Sequence, residues 1–77
     1  MENAQTIIAN TNPSKIVLSN NMIKAIYGKK QIVVNYDNST DLFNIWAFTL
    51  KGINFLNETK INGLFIEDLK TTIEGLK

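Results

Sequence analysis

Asp37, Ser39 and Asp41 sit at alternate positions, like the first ligands of a calcium loop. Such a loop also needs a glycine at its sixth position and a bidentate carboxylate at its twelfth. Those positions hold Leu42 and Phe48, so Asp37-Asn38-Ser39-Thr40-Asp41 reads as a turn running into a helix cap, and no metal is expected. Glu67 and Asp68 are adjacent, and adjacent residues on a helix diverge, so this pair suits the dipole at a helix start better than acid–base work. The chain has no histidine to pair with a serine, no cysteine nucleophile or thiolate ligand, and no glycine-rich phosphate loop. Neither an enzyme nor a cofactor is expected.

Binding remains, and two constellations could carry it. Lys24, Tyr27, Lys29 and Lys30 gather around a predicted hairpin, and lysines interleaved with aromatics can hold single-stranded nucleic acid by phosphate attraction and base stacking. Against this, lysines in a hairpin also protect a strand edge, and the net charge is only +1. All eight basic residues are lysines, and the planar guanidinium fork that favours bidentate phosphate or guanine contacts is missing. The charge is uneven: residues 1–36 carry four lysines and Glu2, about +3, and residues 37–77 carry six acids and four lysines, about −2.

The second constellation is NIWAFTLKGINFL, Asn44 to Leu56, which has more large apolar side chains than one buried helix face requires. At roughly 100° per residue, Leu42, Phe43, Ile45, Trp46, Leu50, Ile53 and Leu56 fall within an arc of about 160°, which would be a core face with Trp46 near its centre. Phe48 and Phe55 then lie within about 20° of each other on the other side, as a second stripe. That stripe is either further core or an interaction surface with Asn44 and Lys51 at its rim. A hairpin turning at Lys51-Gly52 competes with the helix, because Trp46, Phe48 and Leu50 alternate and Gly52 costs a helix about 1 kcal/mol. The helix is the preferred expectation.

The elements that must position these residues follow from local pattern. Residues 1–13 are mostly polar and end in Asn10-Thr11-Asn12-Pro13, which predicts a flexible arm or a short edge strand. Residues 14–77 form the single small domain. Lys15–Ser19, Met22–Tyr27 and Gln31–Tyr36 read as strands separated by Asn20-Asn21 and Gly28-Lys29-Lys30. Ile66, Leu69, Ile73 and Leu76 at 3-4-3 spacing predict a helix over 64–76, with Asn62-Gly63 as an alternative hairpin turn before it. The fold class expected is therefore α+β, an antiparallel β-meander of about three strands followed by two helices.

A chain of 77 residues buries little more than its entropy requires, and self-association is the supplement left when disulfides are impossible. The expected function is a non-enzymatic protein-interaction or self-association module, a homodimer or higher oligomer or the partner of another protein. Its surface would be Phe48 and Phe55 with Asn44 and Lys51. The alternative is a nucleic-acid-binding module that uses the lysine hairpin. No basic leader precedes an apolar run and the longest unbroken apolar stretch, Ile45 to Phe48, is far short of a membrane span, so a cytoplasmic protein without membrane contact is expected. Abundant Asn, Ile and Lys with no Arg fit an A+T-rich coding sequence of bacterial or phage type. With eleven asparagines, the glycosylation patterns at Asn38 and Asn57 are attributed to chance.

Overall fold

The computed structural model describes residues 2–77, and the side chains of all of these except Glu2, Asn57 and Glu58. Among the described residues the chain runs α1 (Glu2–Ala9), β1 (Lys15–Ser19), β2 (Met22–Tyr27), β3 (Lys30–Asp37), β4 (Leu42–Lys51), β5 (Asn54–Leu64), a short 3-10 turn at Ile66–Asp68, and α2 (Leu69–Leu76). The five strands form one antiparallel sheet in the order β1-β2-β3-β4-β5. The protein is α+β, but the expected three-stranded meander followed by two helices is corrected: the sheet has five strands, and one helix precedes it while the other follows it.

The correction turns on residues 42–56, which form β4 and the start of β5 rather than a helix. β3 is rich in β-branched residues, and its outer backbone groups need a partner strand. β4 supplies it from Lys30↔Thr49 to Asp37↔Leu42 and leaves its other edge for β5. Helical periodicity and strand alternation both fit this apolar segment locally, and sheet pairing decides between them. Gly52 then sits at φ +65° as the first central residue of the two-residue turn between Lys51 and Asn54, the position that a type II′ hairpin reserves for glycine. Asp37 to Asp41 is a turn as expected, but it joins two strands and caps no helix: the Asp41 N–H donates to the Asp37 carbonyl at 2.9 Å, and the Asp37 carboxylate accepts from the Ser39 N–H and hydroxyl. Asn62 and Gly63 lie across from Asn44 in a bulge of β5 instead of a hairpin turn, with Gly63 at φ +73°.

The segment read as an arm or edge strand is also different. Ala4 and Ile8, four residues apart, lie on one face of α1 and are fully buried. After the helix ends at Ala9, a turn closed by the Thr11 and Asn12 N–H groups leads to Asn12, in the left-handed conformation at φ +61°, one residue before Pro13. At the other end of the chain, α2 begins at Leu69, later than its apolar spacing predicts, and buries Leu69 and Ile73.

Both helices lie on one face of the sheet. Ala4, Ile8, Leu69 and Ile73 close over Ile23, Ala25, Ile32, Val34, Phe43, Ile45 and Ala47 to form the core. A polar cluster ties its margin. Buried Thr11 donates to the Ile8 carbonyl at 2.5 Å and shares a 2.5 Å hydrogen bond with the Tyr27 hydroxyl. Lys77 donates to the Thr11 carbonyl at 2.7 Å and stands 5.8 Å from the Tyr27 ring centre. Burial, the largest cause, raises the Tyr27 pKa, and the Thr11 hydrogen bond and the Lys77 charge oppose it. Among the described residues no helix is long and apolar enough to cross a membrane.

Candidate functional site

Side chains alternate across a strand, so whatever the helices do not cover appears on the other face. Along β4, Phe43, Ile45 and Ala47 are buried under the helices, and Leu42, Asn44, Trp46, Phe48 and Leu50 point the other way and are half-buried. Register places one full row across the sheet on that side: Val17, Lys24, Val33, Trp46 and Lys60 are successive cross-strand partners. The next row runs Lys15, Ile26, Gln31 and Phe48. Beyond the end of β3, Leu50 faces Phe55. None of Ile26, Val33, Trp46, Phe48 and Leu50 belongs to the core cluster or packs against it, which separates the two faces independently of the alternation.

This face is apolar in the middle with ammonium groups among the apolar side chains. Lys60 holds its Nζ 5.9 Å from the centre of the Trp46 ring, a cation–π contact worth about 0.5–1 kcal/mol where solvent reaches it. Lys24 is half-buried, its stem lying between Val17 and Val33. Val33 itself is the one buried residue of the row, shielded by its long neighbours. Asp37 stands on this face only at its far corner. There the Ser39 hydroxyl and then the Ser39 N–H hold its carboxyl below the usual carboxylate range.

The predicted site residues fall as follows. Phe48, Phe55 and Asn44 share the uncovered face, as neighbours across β4 and β5 rather than as a helical stripe. Asn44 is engaged there, its Oδ1 accepting from the Gly63 N–H at 3.1 Å across the bulge. Lys51 takes the helix-side parity at the tip of the same hairpin. The lysine constellation is divided: Lys24 is on the uncovered face, Tyr27 and Lys30 are on the helix side, and Lys29 is in the turn between them. Sequence reasoning placed Trp46 in the core and left Lys60 and Val33 unassigned. The alternation of Trp46, Phe48 and Leu50 was the signal for them.

Among the described residues no group of histidine, cysteine or acidic side chains is placed to hold a metal ion. Compared with protein families, curated proteins and solved structures, the chain matches none.

Proposed function

We propose that the chain is a non-enzymatic protein-interaction module that docks a partner protein on the uncovered face of its sheet. The observation that carries this reading is the cross-strand surface of Trp46, Phe48, Leu50 and Phe55, which the two helices leave in contact with water. Contiguous apolar surface of this kind is seldom left open in a monomer, and buried aromatics supply much of the energy of protein interfaces. The occupant is a partner segment with apolar side chains flanked by carboxylates, because Lys15, Lys24 and Lys60 surround the aromatics on this face.

The test uses Trp46 as its own fluorescent reporter and a peptide alternating Leu or Phe with Asp or Glu as the probe. Saturable binding that Phe48→Ser abolishes, with the melting temperature of the variant nearly unchanged, is the expected result. An unfolded Phe48→Ser protein would mean that the residue is core and that the face is not available.

A second reading rests on the row Lys24, Trp46 and Lys60, since an aromatic between two lysines is also a platform for an unpaired base. Nucleic acid binding would weaken steeply with salt as counterions are released, whereas an apolar protein contact would change little. No binding of single- or double-stranded oligonucleotides at low salt removes this second reading.

A further inference from the structure

In a meander, alternate strands run in opposite directions, so all the connections lie at two poles. The turns after β2 and β4 share one pole; the turns after β1 and β3 and the exit of β5 share the other. The molecule is 36 × 23 × 21 Å, and the ten residues of β4 at roughly 3.3 Å each hold these poles about 30 Å apart.

The charges divide between the same poles. Lys29, Lys30 and Lys51 lie at the first, and Asp37, Asp41, Glu67 and Asp68 at the second, while Lys15, level with Phe48, lies with Lys24 and Lys60 between them. Two described charges run against the pattern. Glu74, toward the lysine pole, is paired with Lys77 at 3.1 Å, and Lys70 is one residue into α2. The near-neutral total therefore hides a dipolar molecule.

Each pole also exposes a large apolar side chain on the β4–β5 side. At the lysine pole the hairpin tip presents Ile53, 94% exposed, and Phe55, 49% exposed. At the acidic pole Phe65, 62% exposed, lies between the end of β5 and Glu67, with the Asp37–Asp41 loop next to it through the Phe43↔Leu64 pairing.

We infer that the protein associates head to tail with further copies of itself, the Ile53 hairpin tip and its lysines meeting the Phe65 corner and its carboxylates. The occupant is a second copy because this chain's own opposite pole carries the complementary charge and a matching apolar group. A contact between two different patches is heterologous and does not close on itself as a twofold dimer does, so it builds rings or open chains of subunits. It shares Phe55 with the docking surface proposed above but is centred on Ile53, Phe65 and the charges of the poles, so Phe48→Ser and the pole reversals tell the two contacts apart.

The test is a charge swap read by light scattering over a concentration series. The wild-type mass should rise with concentration at about 20 mM salt and fall toward the monomer at about 500 mM, where the Debye length is only a few Å. Lys29→Glu with Lys51→Glu, and separately Glu67→Lys with Asp68→Lys, should each weaken association by about tenfold or more while the circular dichroism melt shows a folded protein. Mixing the two variants restores complementary junctions and should restore the mass, as should all four substitutions in one chain. A wild-type mass fixed at the monomer at low salt overturns the inference. So does association that both pole reversals leave unchanged but Phe48→Ser removes, which would move the contact to the sheet face. A monomer that instead binds anionic phospholipid vesicles through Ile53 overturns it too.

Discussion

Along β4, Phe43, Ile45 and Ala47 turn toward the helices and are buried, whereas Trp46, Phe48 and Leu50 turn away and keep contact with solvent. Two of the three aromatics of β4, including its tryptophan, are thus on the open side, and the covered side includes two alanines, Ala25 and Ala47, which leave room for Ile8, Leu69 and Ile73 to reach the sheet. Side-chain size did not select the core. The helices did, and a residue's hydrophobicity says only that it will leave water if something covers it.

The strongest way to break this comparison is to truncate one residue from each face of the same strand. Ile45→Ala should cost about 2–5 kcal/mol, a large part of the stability available to a domain of this size, measured by urea unfolding. Trp46→Ala should cost far less, about 1 kcal/mol, because the indole is only half-buried and packs on neighbouring side chains without a covering layer. If both variants unfold at the same urea concentration, the two faces are energetically alike and the distinction fails.

A smaller effect sharpens the contrast between hairpin and helix. Gly52→Ala would favour a helix, but at φ +65° it should instead destabilise the protein by roughly 1 kcal/mol. A Cβ there meets nothing within 4 Å, so the whole cost is backbone conformation, and a lowered melting temperature with unchanged circular dichroism is the expected record. An increase in stability would contradict the hairpin.

The two tyrosines, both packed against the helix-side core, contrast its two ends by titration. The Tyr27 pKa is raised chiefly by burial, and the Tyr36 pKa chiefly by its hydrogen bond to the Asp41 carboxylate. Ultraviolet titration of Asp41→Asn should bring Tyr36 back toward the ordinary phenol value and leave Tyr27 unmoved. For both groups the folded pKa is raised, so their contribution to stability is present below the unfolded value near 10 and lost as pH rises through the folded one.

The smallest expected effect is at Asp37. Its folded pKa is lowered by Ser39, so this contribution is present above the unfolded value and lost as pH falls through the folded one. Ser39→Ala should raise the Asp37 pKa toward the ordinary carboxylate value, followed by NMR, with only a slight loss of stability at neutral pH. No change would mean that the turn holds the carboxylate by other contacts.

By itself the sequence determined the first three strands and their turns, because β-branched runs bounded by Asn and Gly have one local solution. It also determined most of α2, whose Leu69 and Ile73 repeat at helical spacing, and it marked Phe48 and Phe55 as surplus apolar residues. Three matters were left to the tertiary structure. Residues 42–56 satisfy both periods, and only the unpaired edge of β3 makes the strand the better solution. α1 is too short and polar to be stable alone; its helical state depends on burying Ala4 and Ile8 against a sheet assembled from later residues. The side on which Trp46 lies follows from the same event, since both faces of β4 are apolar and the two helices could cover only one.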